Sequence, residues 1–387
     1  MPTLINDLPA KRILSVDAFR GLTFLVMLFV NFIAGASHIP AGLHHVAAGV
    51  DGMGLADVVF PAFMFAVGMS IPFGINSRLA RGGSWAQVQT HTAYRALSLV
   101  VMGVFMVNAE SGYNEQAMGM RIDAWALAFY TGALLVWGVY RFDHPVLNKL
   151  LRAAGVAILV GLAAVYRGGA DGASLMAPQW WGILGLIGWA YLVAAWIYQL
   201  ARGRVALLCV AIALCALAYA AAAASGTGMG FAVHGTHAAI VLAGTVCALL
   251  FFDGGRARFG AAGLFCAALA AGGFLLHLAY PVSKIGATPP WALYTAALCT
   301  ALFALLYWLI ELRDKRAWTM LVEPAASNPL ITYLIPFVLG ALMSLAGLRW
   351  PAMFTYGAGA IAFALLFSLA VLLLVARLNK VNFKLKI

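Results

Sequence analysis

The sequence predicts an all-α integral membrane protein: a polytopic bundle of about twelve (10–12) transmembrane helices with both termini cytoplasmic. Three observations carry this. Of 387 residues, 64% are hydrophobic and only 10% are charged, where a soluble domain would have roughly a quarter charged. Apolar runs recur at the length of about 20 residues that a hydrocarbon core about 30 Å thick requires. Lys and Arg collect in alternate connectors, as orientation in a bilayer demands.

Cutting the chain at its Gly, Pro and charge clusters gives spans at 14–36, 53–76, 94–110, 122–140, 147–166, 179–200, 204–224, 232–252, 258–280, 290–311, 328–347 and 351–376. Connectors on one side hold Lys11/Arg12, Arg78/Arg81, Arg141/Lys149/Arg152, Arg202/Arg204, Arg256/Arg258, Arg313/Lys315/Arg316 and Arg377/Lys380/Lys384/Lys386. The other side has Arg121, Arg167, Lys284 and Arg349. The richer side is expected to be cytoplasmic. The stretch MPTLINDLPAKR lacks the apolar core of a signal peptide, so the first helix is expected to remain as an anchor.

The net charge of +11 is spread through short connectors. Without a basic patch it argues for membrane orientation and against nucleic acid. The five cysteines (Cys209, Cys215, Cys247, Cys266, Cys299) lie in apolar runs without a CxxC partner, and read as small buried hydrophobes. One domain is expected over 1–387. No internal repeat and no discontinuous helix at matched positions is evident, which disfavours a transporter built from inverted halves.

Polar residues inside apolar runs mark function in a membrane protein. In SVDAFRGLTFLVMLFVNFIAG, Asp17 and Arg20 are three apart and can pair. Asn31 lies eleven residues beyond Arg20, close to three turns, so the two share a face. The first outer loop, SHIPAGLHHVAAGVDG, holds His38, His44 and His45 but no Lys or Arg. Asp57 follows at the start of the second span, placed to cap it and to orient a loop histidine. Pro61 is tolerated there if neighbours satisfy the freed carbonyl, and Gly68, Ser70 and Gly74 permit close helix approach. His234 and His237 are three apart with no carboxylate or cysteine nearby in sequence, so no metal is expected. His277 precedes YPVSK, which carries Lys284. In SNPLITYLIP, Asn328 stands at a helix start as a cap, and Tyr333 follows in the second turn. No phosphate loop, kinase signature, GxSxG elbow or HExxH is present.

SVDAFRG, then VN, a loop histidine, DGMGLADVVFPAFMFAVGMSIPF, QWWGILGLIGWAYL, YPVSKIGATPPWAL and SNPLITYLIP occur in order. This series resembles the heparan-α-glucosaminide N-acetyltransferase family and its bacterial relatives, with core motifs at 12–76, 179–192 and 277–336. The resemblance implies a transmembrane acetyltransferase of a bacterial cytoplasmic (inner) membrane. Acetyl-CoA would donate from the cytoplasm, and a glucosamine-type amine would accept outside. It maps the family's histidine onto His45, with His44 the alternative, and its asparagine onto Asn31. The lysosomal members carry a luminal domain ahead of this core, so a small amino sugar or glycan fragment is the expected acceptor here.

Together these readings make His45, Asn31 and Asp57 the candidate catalytic residues. Arg12, Arg20, Asp17, Arg78 and Asn328 are candidates for acetyl-CoA, and His277, Lys284 and Tyr333 for the acceptor. Outer acids Asp51, Glu110, Glu115 and Asp171, with nearby aromatics, suit an amino sugar. Direct transfer in a ternary complex and an acetyl-histidine intermediate both remain open, as does a homo-oligomer. The competing function class is a secondary transporter for a sugar or amino sugar.

Overall fold

A computed structural model describes residue 8 and residues 13–140, 144–225 and 230–387. Arg12, expected at the acetyl-CoA site, lies outside the described residues, as do Lys11 and Arg141. The elements are α1 (Leu14–Ile33), α2 (Leu55–Ala80), α3 (Trp85–Glu110), α4 (Glu115–Met118), α5 (Ile122–Trp137), α6 (Pro145–Val165) and α7 (Gly182–Leu200). They continue with α8 (Val205–Ser225), α9 (Gly230–Phe252), α10 (Phe259–His277), α11 (Pro289–Tyr307), α12 (Thr319–Ser327), α13 (Pro329–Leu345) and α14 (Gly357–Lys380). A helix coincides with every expected span. Among the described residues, ten are long and apolar enough to cross a membrane, and α12 with α13 forms a bent pair. α5, at 16 residues, is shorter.

Two boundaries differ for clear reasons. α3 starts nine residues before its expected span because Ser84 and Gln87 form a reciprocal cap (Gln87 N to Ser84 Oγ 3.2 Å, Ser84 N to Gln87 Oε1 2.9 Å). Such a box starts a helix whatever its hydropathy. The other departure is α12, which precedes the helix start expected at Asn328 and meets α13 there at 86°. Pro329 lacks the N–H that would continue the ladder, and Asn328 sits at φ −141°, ψ 61°. Among the described residues this is one sharply bent pair, with no second at a matched position.

α9 is the central helix, with 94% of its apolar window buried, whereas α6 and α10 bury 17% each and form the periphery. In lipid, apolar contact gives helices little reason to associate, so close backbone approach decides packing. Between α2 and α9 a Cβ on Gly68 would collide with the Val241 carbonyl, and one on Gly244 with the Phe65 carbonyl. Thr245 Oγ1 donates to the Gly68 carbonyl at 3.0 Å across the same contact. Gly74, expected to share this role, meets only the tip of Arg78. The cysteines are all free; Cys247 and Cys299 are buried, and the other three half-buried.

Beyond α14 the chain folds back. Val139 N donates to the Lys384 carbonyl and Lys386 N to the Trp137 carbonyl, each at 2.9 Å. The Asn328 amide donates to the Phe383 carbonyl at 2.8 Å and to Asn379 Oδ1 at 3.1 Å. Asn328 does occupy the start of α13, but its side chain makes no cap. It fastens the C-terminal segment instead, which corrects the simpler expectation.

Candidate functional site

The loop between α1 and α2 treats its three histidines differently. His38 packs against Tyr356, ring centroids 4.3 Å apart and planes tilted by 31°, and Ser37 pairs with the backbone at Thr355 and Gly357. His38 thus tethers the loop to the α13–α14 connector. The His44 carbonyl lies so close to Gly54 that a Cβ there would collide with it. This sharp return brings His45 against the first turn of α2.

There Asp57 is 1% exposed. Its Oδ1 lies 2.7 Å from His45 Nδ1, and its Oδ2 accepts from Val46 N and Gly54 N, both at 3.0 Å. The Asp57 carbonyl accepts from Trp291 Nε1 at 3.0 Å. Asp57 therefore holds the helix start from its third position while gripping the imidazole. A carboxylate only accepts, so Nδ1 carries a proton, and in the neutral ring the lone pair is on Nε2.

Lys284 reaches His45 from the α10–α11 loop, its Nζ 3.3 Å from Nδ1 and 3.4 Å from Nε2. Burial pushes the Lys284 ammonium below its ordinary range, while the charge of Asp57 opposes that shift. The loop is pinned from the first one: Asp51 Oδ2 lies 2.8 Å from His277 Nε2, and Asp51 Oδ1 accepts from Val282 N at 2.8 Å. The hydrogen bond from His277, and then that from Val282, hold the Asp51 carboxyl below its usual range. His277 is thus a brace for the loop carrying Lys284.

A cavity of about 660 Å³ opens in front of the imidazole. Asn31, His45, Lys284 and Tyr333 line it, joined by Glu110, Trp180, Phe337 and Trp350. Asn31, in the last turn of α1, is among the residues lining this space, and no described residue hydrogen-bonds its side chain. The size and the mostly apolar lining with few polar groups suit a small-molecule site.

The remaining candidates lie elsewhere. Arg20 donates to Asp17 Oδ1 at 3.2 Å and to Ser70 Oγ at 2.8 Å, tying α1 to α2. Arg78 donates to the Gly74 carbonyl at 2.8 Å, and its Nη2 lies 2.6 Å from His91 Nε2. Neither lines the cavity, nor do Asn328 and His277. His234 and His237 stand edge to face, 6.5 Å between centroids, and His237 packs on Phe60 and Trp291. Nothing in the sequence marked Trp291 as a partner of Asp57, or Trp350 as a cavity wall. Only the fold brings those distant segments to His45.

The sequence model of a family described as a domain of unknown function, DUF5009, matches residues 12–230, more than half the chain. The chain belongs to that family. This DUF5009 member is also similar to the heparan-alpha-glucosaminide N-acetyltransferase of Homo sapiens, 36% identical over 104 residues, covering 27% of this chain and 15% of the relative. The Mus musculus protein of the same name is 35% identical over 99 residues, covering 26% and 14%. The match thus spans about a seventh of the length of these curated relatives. It bears out the resemblance drawn from the motifs. The His45–Asp57 pair of the DUF5009 chain falls inside the family match, whereas Lys284 and Tyr333 fall beyond it.

Proposed function

We propose that this protein is a transmembrane acetyltransferase that moves an acetyl group from acetyl-CoA to the amine of a small amino sugar. The observation that carries the reading is the Asp57–His45 pair, whose imidazole lines a cavity shared with Asn31 and Lys284. A base in one tautomer beside an amide donor is the equipment acyl transfer needs. The similarity to the human and mouse N-acetyltransferases supports the same chemistry.

In this scheme the acceptor nitrogen attacks the thioester carbonyl while His45 Nε2 takes its proton. Asn31 donates to the oxygen that becomes negative. The carbon–sulfur bond then breaks, and the proton passes to the departing CoA thiolate, leaving an N-acetyl amide and CoA. Asp57 keeps Nδ1 protonated throughout. Basic residues of the cytoplasmic side, Arg20 and Arg78 among them, would meet the phosphates of acetyl-CoA. Asn31 stands about 16 Å along α1 from Arg20, a span the pantetheine arm would cover. The cavity then faces outside, both termini face the cytoplasm, and residues 1–387 act as one domain in a bacterial inner membrane.

The test is incubation of purified protein with labelled acetyl-CoA and a panel of amino sugars, read by mass spectrometry. Acetylated product that disappears with His45→Ala supports the reading; full activity in that variant overturns it. The break at Asn328 resembles the discontinuous helices of transporters, so a sugar carrier is the second reading. Acetyl-CoA or CoA should raise the Tm of an acetyltransferase and leave that of a sugar carrier unchanged.

A further inference from the structure

We propose that Glu110 reads the acceptor: its carboxylate accepts hydrogen bonds from the hydroxyls of a pyranose whose amino group faces His45. This rests on the acetyl-transfer reading and goes beyond it by naming the residue that selects the sugar.

Most acids at this end of the bundle are already engaged. Asp51 is held by His277 and Val282 N. Glu115 Oε1 accepts from Ile122 N at 2.8 Å. Asp123 Oδ2 takes Arg121 at 3.0 Å and Ser344 Oγ at 2.7 Å. Asp171 Oδ1 accepts from Ala173 N at 3.1 Å. Glu110 lines the cavity and makes no hydrogen bond or ion pair with the described residues.

Its position also runs against helix electrostatics. Glu110 is the last residue of α3, where the negative end of the helix dipole disfavours a carboxylate. Helix stability therefore gives no reason for an acid here. The surrounding backbone is nonetheless held firmly: the Asn108 amide donates to the Ala177 carbonyl at 2.9 Å, and the Gln179 amide to the Ser111 carbonyl at 3.2 Å. These bonds lock the end of α3 to the segment that carries Trp180 into the cavity wall.

The chemistry of the wall selects the ligand. Trp180, Trp350 and Tyr333 offer aromatic faces beside one carboxylate. An apolar acceptor would desolvate Glu110 without replacing its water, at a cost. A sugar satisfies both features, its C–H face on the rings and its hydroxyls on the carboxylate. Lys284, the other charge in the cavity, is turned toward His45, which leaves Glu110 to the hydroxyls.

The experiment compares equilibrium binding of labelled glucosamine and of cyclohexylamine, a ring amine without hydroxyls, to wild-type protein, Glu110→Gln and Glu110→Asp in nanodiscs. Glucosamine should bind Glu110→Gln about ten- to a hundredfold more weakly, the scale of one or two hydrogen bonds to a charged group. Glu110→Asp should fall between, and cyclohexylamine should bind Glu110→Gln at least as tightly as wild type, because the neutral amide costs less to desolvate. Equal glucosamine binding to wild type and Glu110→Gln, or none to wild type, overturns the proposal. So does an equal loss for both amines, which would mean that the carboxylate reads the ammonium. Failure of the acetyl-transfer reading shows separately, as wild-type protein that binds amino sugars but forms no acetylated product.

Discussion

His45 Nδ1 lies 2.7 Å from Asp57 Oδ1, across the turn that leads from the first loop into α2. The same carboxylate also holds Val46 N and Gly54 N, so one buried group sets both the helix start and the histidine tautomer. Asp57→Asn keeps the shape and adds an N–H donor that favours the opposite tautomer. Acetyl transfer should fall by about 10²–10⁴-fold, the range of general acid–base catalysis. Steady-state kinetics on the purified variant, with CoA-induced stabilisation as the check on folding, tests this.

Asn31→Ala removes an amide from the cavity lining in the last turn of α1. If it stabilises the oxyanion, kcat should drop by about 10²–10³-fold. The KM for acetyl-CoA should move little. A variant that loses affinity and keeps kcat would show that Asn31 positions substrate instead.

Asp51 carries the prediction for pH. Its folded-state pKa lies below the ordinary 3.8, so the unfolded chain binds more protons as pH falls through that region. The stabilisation it gives is complete above pH 3.8 and is lost as pH falls through the lowered folded value. Asp51→Asn should therefore have a lower Tm than wild type near neutral pH, with the difference closing in acid. Thermal scans of both proteins from about pH 6 down to about pH 2 measure it.

Gly68→Ala drives a methyl group into the Val241 carbonyl at the α2–α9 contact. Overpacking of this kind costs about 1–3 kcal/mol and should lower the Tm in detergent. Gly74→Ala is the matched control, because its methyl would meet only the Arg78 side chain, at 3.5 Å. Equal effects of the two substitutions would refute the assignment of that contact.

Helix positions were legible because hydropathy alone dictates them in a bilayer, and even the alanine-rich stretch from Val205 to Phe252 resolved into α8 and α9 as expected. The sharp angle at Asn328 was not, since a helix start with Pro in its first turn looks the same in an ordinary helix. Within the site, His45, Asn31, Lys284 and Tyr333 do meet at one cavity. His277 and Asn328 lie off that cavity, each bonded to a partner far away in sequence, Asp51 in one case and Phe383 in the other. A polar residue in an apolar run announces a partner without naming it.

The lining of the cavity divides along the chain. His45 comes from the first loop, Glu110 from α3, and Tyr333, Phe337 and Trp350 from the last quarter of the sequence. Residues 12–230 thus supply His45, Asn31, Glu110 and Trp180, and the later chain supplies a second wall of the same cavity. Substitutions in the late segment can retune which molecule is accepted while the imidazole and its carboxylate stay as they are. Homologues that share residues 12–230 and differ afterwards would then be one chemical machine fitted with different mouths.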